Sequence, residues 1–230
     1  HHLIPKRAGG MRLIEEPKPM LKSLQRRILR GILSHVPTHP AAFGFTPGRN
    51  AVAAAAKHAG EAMVVSFDLQ DYFCSIGWSR VFGLFRSLGY PEPVARHLTG
   101  LSTVLTPRHI DHPFSQQPRH LPQGAPSAPG LATLCTHRLD VRLSGLARRL
   151  GLVYTRFADD LTFSGDAAPA QRLLHALPDI VEDAGFRLNP AKTRLMPAHR
   201  QQWVTGMVVN RHANLARKDY ERLKAAIHRL

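Results

Sequence analysis

Cysteine is nearly absent from this sequence, with only Cys74 and Cys135 in 230 residues. No secretory leader is recognisable, so a disulfide framework is excluded and a reducing, cytoplasmic setting is expected. Both thiols are expected to be buried and inert. Long apolar runs are also missing. No stretch approaches the roughly 18 apolar residues of a spanning helix, and no basic amphipathic segment stands apart as a surface anchor. No membrane partner is expected. A Walker phosphate loop and a nucleophile-elbow serine are both lacking. Acidic residues are scarce, 16 Asp plus Glu against 31 Lys plus Arg, for a formal net charge of +15. Such an excess points to a polyanionic partner, nucleic acid first.

What is present is an ordinary globular composition, 43% hydrophobic, with no repeat and no low-complexity tract beyond the helix-compatible alanines of 53–56. The chain opens on His1-His2-Leu3-Ile4-Pro5 without methionine and ends inside an expected helix, so a piece of a longer protein is the expectation.

Residues 3–16 carry a Lys6-Arg7-Ala8-Gly9-Gly10 turn between short apolar runs, the pattern of a basic-tipped hairpin. Apolar spacings of three and four predict a helix over 18–36. The run 63–67 predicts a buried strand ending at Asp68. Helices are expected through Val81–Leu88 to Gly89 and again from near Pro93. Loops or a short hairpin are expected over 106–128, and a single helix over 130–150. Residues 153–163 read as a hairpin with an Ala158-Asp159-Asp160 corner. An amphipathic helix over 168–184, a short strand at 186–188, a hairpin over 203–215 turning near 210–214, and a terminal helix from Tyr220 complete the pattern. Strands and helices in this mixed order favour an α+β sheet covered on one face by helices.

Two adjacent aspartates at a hairpin tip repel one another unless a cation neutralises them. A bare Asp-Asp pair is commonly a solvated turn. The apolar strands on both sides of Asp159-Asp160, in a chain with few acids, shift the reading towards a site. Asp68 at its strand end is the third carboxylate, and alone it fits a helix N-cap equally well. Carboxylates presented from a strand end and a neighbouring tip can converge on magnesium, which prefers oxygen ligands. His109, Asp111 and His112 have metal-binding composition but lie in a proline-rich segment, and solvated loop residues are expected there. His35 and His39 have helical metal-pair spacing, but Pro37 between them argues against a regular helix.

The string Phe67-Asp68-Leu69-Gln70-Asp71-Tyr72-Phe73-Cys74-Ser75-Ile76 resembles motif A of reverse transcriptases. Leu121-Pro122-Gln123-Gly124 resembles their LPQG box, and Phe157-Ala158-Asp159-Asp160 their YADD box. Three further blocks occur in the family's order: Ile4-Pro5-Lys6-Arg7 with Arg12, His39-Pro40-Ala41-Ala42-Phe43-Gly44-Phe45, and Gly185-Phe186-Arg187-Leu188-Asn189 with Lys192-Thr193-Arg194. The resemblance covers nearly the whole chain. Val204-Thr205-Gly206 is similar to a triplet of the bacterial retron type. The sequence departs from that type where Ala54-Ala55-Ala56-Lys57-His58 lacks an asparagine, and from the YADD box where Phe157 replaces tyrosine.

The resemblance implies a right-hand polymerase: fingers over 1–62 and 78–122, palm over 63–77 and 123–215, and a thumb only begun at 216–230. It implies RNA-directed DNA synthesis in which Asp68, Asp159 and Asp160, with the Leu69 carbonyl, hold two Mg²⁺ ions, Mn²⁺ being a substitute. Lys6 and Arg12 would grip the triphosphate, Gln123 and Gly124 would lie along the incoming nucleotide, Phe73 would exclude a 2′-hydroxyl, and Lys192 would stand near the metal site. Implied partners are an RNA template and primer, deoxynucleoside triphosphates, a structured noncoding RNA and an effector protein, with RNA-linked single-stranded DNA made in phage defence. The alternatives are a group II intron or diversity-generating reverse transcriptase, or a non-catalytic RNA-binding relative.

Overall fold

The computed structural model describes residues 2–5, 11–106 and 119–228, with the side chains of Arg12 and Lys218 left aside. In chain order the elements begin with β1 (His2–Pro5), β2 (Met11–Ile14), α1 (Pro19–Gly31), α2 (Ala51–Ala56) and β3 (Met63–Asp68). There follow α3 (Trp78–Ser87), α4 (Glu92–Ser102), β4 (Val104–Leu105), β5 (Arg119–His120), α5 (Ala128–Cys135) and α6 (His137–Leu150). The last are β6 (Val153–Phe157), β7 (Asp160–Gly165), α7 (Ala167–Asp183), β8 (Arg194–Pro197), β9 (Trp203–Val204), β10 (Met207–Val208) and α8 (Arg217–Ile227). The chain divides into two compact units, residues 1–39 with 70–138, and residues 40–69 with 139–230.

In the first unit, β1 and β2 pair antiparallel as expected, with Leu3 opposite Leu13 and Ile4 opposite Arg12. Their connecting residues 6–10, Lys6 included, lie outside the described residues, as do His109, Asp111 and His112. The helix expected over 18–36 is shorter. Proline at its first position suits α1, which stops at Gly31, and a 3₁₀ turn (Leu33–His35) follows. Gln25 on α1 is buried and donates through Nε2 to the Leu101 carbonyl at 2.8 Å. The single helix expected over 130–150 is two. The Thr136 hydroxyl bonds the Ala132 carbonyl at 2.7 Å and meets the Tyr72 hydroxyl at 2.9 Å, and the chain re-enters helix at His137. A leucine period does not reveal a break that keeps its apolar face.

The second unit is built on a four-stranded sheet in the order β6-β7-β3-β8, with every named pairing antiparallel. Central β3 is apolar on both faces: Val64 and Val65 are fully buried and Phe67 nearly so. α7 packs on β3 and β7 through Ala170, Leu173, Leu177 and Val181. The short strand expected at 186–188 is reduced to one bridge, Leu188 with Leu69, and the sheet edge is supplied instead by β8. The final hairpin also differs from its expected turn. β9 and β10 close through Thr205 (φ 49°) and Gly206 (φ 81°), both left-handed as a two-residue hairpin of this hand requires. Threonine at such a position is not a turn signal, whereas the asparagines further on are. Among the described residues no helix is long and apolar enough to cross a membrane.

Candidate active site

The register of β3 on β7 decides where the carboxylates stand. Asp68, the last residue of β3, is the direct Cα partner of Asp160, the first of β7. Directly opposed like charges destabilise a strand pair, so this arrangement calls for a cation. One is present within the chain: Lys192 Nζ donates to both Oδ1 and Oδ2 of Asp68 at 2.7 Å. The Asp68 side chain is 5% exposed and that of Lys192 is 55% exposed. Lys192 is placed there by local geometry. The Asn189 N–H donates to the Asp68 carbonyl at 2.8 Å, its side chain accepts from Ala191 N at 3.2 Å, and the 3₁₀ turn Pro190–Lys192 carries the lysine forward.

Asp159 sits half-buried in the turn between β6 and β7, behind Ala158, whose φ is 57°. Its carbonyl accepts from the Leu69 N–H at 2.9 Å, which ties the turn to the end of β3. Asp160 keeps contact with solvent, yet partial loss of hydration, then the charges of Asp159 and Asp68, push its carboxyl up to about 6 against the opposing pull of Lys192 and Arg194. The three carboxylates therefore share one electrostatic environment.

A cavity of about 260 Å³ opens beside them. Ser66, Phe67, Asp68, Asp160 and Thr162 form one side, Lys192 and Arg194 another, and Trp203 to Gly206 of the last hairpin the third. Thr205 is held by its hydroxyl, which donates to the Ala51 carbonyl at the start of α2 at 2.9 Å. Among the described residues no group of three or more His, Cys, Asp or Glu side chains is gathered closely enough to hold a metal as it stands. The donor chemistry fits a divalent cation even so. The donors are hard oxygens, Asp68 and Asp160 face one another across the strand pair, and an ammonium is already clamped on Asp68.

The remaining residues named from the sequence lie in the first unit. Gln123 is half-buried, and its carbonyl accepts from the Glu15 N–H at 2.8 Å. Gly124 has φ 120°, and a side chain there would meet Ile14 Cγ2 at 3.2 Å, so the Leu121–Gly124 box is packed on the end of β2. The Glu15 carboxylate, buried, pairs with His120 Nε2 at 3.0 Å and accepts from the Thr106 hydroxyl at 3.1 Å. Phe73 is half-buried, edge-on to Tyr72 with centroids 5.5 Å apart. Arg12 pairs through its backbone in β2. Cys74 is buried as expected. Cys135 is only partly so, with burial pushing its thiol up to about 12.

Sequence reasoning placed Gly44 and Arg194 in resemblance blocks without giving either a role, and it gave none to Arg156, Asp140, Glu15 or His120. Arg194 follows Lys192 so closely that their shared cavity could have been inferred, but the others are brought together only by the fold.

The fold is an α+β core of the right-hand polymerase type, fingers and palm. Solved structures with this fold include telomerase from Candida albicans in complex with a TWJ fragment of telomeric RNA, with TM-score 0.61 over 94% of this chain and 45% of that one at 10% identity. Apo telomerase from Candida tropicalis matches at TM-score 0.57, 93% of this chain, 47% of that one and 11% identity. The family described as reverse transcriptase (RNA-dependent DNA polymerase) matches residues 4–209, and the chain belongs to it. Similar curated relatives are the retron Mx65 reverse transcriptase of Myxococcus xanthus, 44% identical over 98% of this chain and 54% of that protein, and the retron Ec86 reverse transcriptase of Escherichia coli, 35% identical over 96% and 65%. The chain thus spans roughly half to two-thirds of the length of these relatives.

Proposed function

We propose that this chain is the nucleotide-adding core of a retron-type RNA-directed DNA polymerase, with fingers over 1–62 and 78–122 and palm over 63–77 and 123–215. The observation that carries the reading is the direct opposition of Asp68 and Asp160 at one strand end, with Asp159 in the adjoining turn. The retron relatives favour this type over group II intron or diversity-generating enzymes.

Asp68, Asp159 and Asp160, with the Leu69 carbonyl, are the groups that would hold two magnesium ions. Bound there, such ions lower the pKa of an attacking hydroxyl and neutralise charge on the leaving oxygen of a phosphoryl transfer. The chain's own residues do the rest. The cavity between the β3–β7 strand end and the last hairpin would seat the primer terminus, with Lys192 and Arg194 facing its phosphates. Lys6 and Arg12 would hold the triphosphate, Gln123 and Gly124 would lie along the nucleotide, and Phe73 would block a ribose 2′-hydroxyl. Template and primer RNA, deoxynucleoside triphosphates and a structured noncoding RNA are the partners. The product would be RNA-linked single-stranded DNA serving phage defence with an effector protein.

The test is magnesium-dependent primer extension on an RNA template by the full-length protein with its neighbouring noncoding RNA. Asp159→Asn should abolish incorporation while the melting curve is kept. Near-wild-type extension by that folded variant would overturn the assignment.

A further inference from the structure

Arg156 is the largest fully buried side chain among the described residues, at 0% exposure, and its partner Asp140 is equally buried. Their pairing is bidentate: Nε donates to Oδ1 at 2.8 Å and Nη2 to Oδ2 at 2.7 Å. Asp140, in the first turn of α6, also accepts from the Tyr154 hydroxyl at 2.9 Å. A buried ion pair of this kind is weak evidence for stability, because desolvation offsets much of its attraction and apolar residues of similar volume often serve as well. The direction of Arg156's other amino nitrogen is therefore informative. Nη1 reaches forward two residues to the Ala158 carbonyl at 3.1 Å.

That carbonyl belongs to the peptide joining Ala158 to Asp159. Fixing its oxygen fixes the plane of the peptide, and with it the direction in which the Asp159 side chain leaves the backbone. Ala158 is held at φ 57°, a conformation that costs a non-glycine residue energy and persists where its surroundings over-determine it. The backbone of Arg156 is fixed as well. Its N–H donates to the Ala41 carbonyl at 2.7 Å, and its carbonyl accepts from the Phe43 N–H at 2.8 Å. The guanidinium therefore projects from an anchored strand, its planar fork spanning a carboxylate on one side and the carbonyl on the other. A lysine has the charge but not the fork.

We propose that Arg156, anchored by Asp140, is a positioning residue that aims Asp159 by pinning the Ala158–Asp159 peptide. The proposal rests on the polymerase reading above. It concerns orientation of the turn and not folding, so stability and turnover should separate.

The discriminating variant in the full-length protein is the double change Asp140→Leu with Arg156→Met, which replaces the pair by apolar groups and leaves neither charge buried alone. Arg156→Lys is made beside it. Thermal melting, single-nucleotide incorporation and Mn²⁺ binding to the nucleic-acid-free protein by electron paramagnetic resonance are measured for each. Both variants should fold. Their kcat should fall by about 100-fold, the scale of a misplacement near 1 Å, with KM for the nucleotide little changed and Mn²⁺ bound more weakly than by the wild type. A double variant that melts like the wild type and also matches its kcat and Mn²⁺ affinity would overturn the proposal. If the double variant does not fold, wild-type kcat and Mn²⁺ affinity in Arg156→Lys overturn it equally. A wild-type protein that binds Mn²⁺ but makes no DNA on any RNA template would refute the polymerase reading instead, and the Mn²⁺ comparison would still decide the role of Arg156.

Discussion

A methyl group placed on Gly44 would stand 2.3 Å from the backbone nitrogen of Ala158. No side chain can give way there, since the atoms met are the main chain of Phe157 and Ala158. Gly44 follows the segment whose Ala42 bridges Arg156, so the same stretch that anchors β6 also passes against the turn carrying Asp159.

Gly44→Ala is accordingly expected to displace the turn. Overpacking of this kind costs about 1–3 kcal/mol, and any shift of Asp159 adds a loss of turnover. Calorimetry together with single-turnover incorporation checks it. A variant with unchanged melting and unchanged turnover would show that the turn can move aside freely.

His58 predicts an acid limit. Its ring is fully buried between Ser164 Oγ and Thr155 Oγ1, each at 2.7 Å, and loss of hydration lowers its pKa from 6.5 to about 4. Between these values the unfolded chain binds a proton that the folded chain does not, so stability falls as pH drops through that window. The full loss is about 3 kcal/mol. Urea titrations of wild type and His58→Gln should show their difference shrinking between pH 7 and 4.

His120 behaves in the opposite sense. Burial alone would lower its pKa, but hydrogen bonds with Cys74 and Glu15 override that and raise it to about 10. The stabilisation is fully present below pH 6.5 and is lost as pH rises towards 10. His120→Asn should remove that alkaline slope. Because Glu15 also ties the Gln123 carbonyl to the end of β2, the variant should raise KM for the nucleotide more than it lowers kcat.

On the proposed polymerase reading, Lys192, paired with Asp68, would compete with added metal for that carboxylate. Lys192→Met should therefore tighten Mn²⁺ binding to the nucleic-acid-free protein, by about 2- to 5-fold, the range for a partly exposed ion pair. Titration followed by electron paramagnetic resonance measures this, and weaker binding in the variant would contradict it.

The strand ending at Asp68 and the hairpin carrying Asp159 and Asp160 were legible because their signals are local. An apolar run stops at Asp68, and alternating residues flank Ala158 and Asp159. Arg156 was not legible, since within an alternating strand it reads like any polar position, and only the distant Asp140 reveals that it is buried. The turn at Thr205 and Gly206 was hidden for another reason: a β-branched residue occupies a left-handed position that sequence patterns assign to asparagine or glycine. β8 was missed because it is only four residues long and its pairing with β3 is long-range. Glu15, just after β2, and His120, in β5, are 105 positions apart, so no local pattern pairs them.

Asp68 and Asp160 are neighbours through strand register and not through sequence spacing. The chain between them can lengthen or shorten without moving either carboxylate, provided the pairing of β3 with β7 is kept. Insertions between the two strands can therefore leave the carboxylate pair unaltered, while a slip of a single residue in that pairing would turn one carboxylate to the opposite face of the sheet.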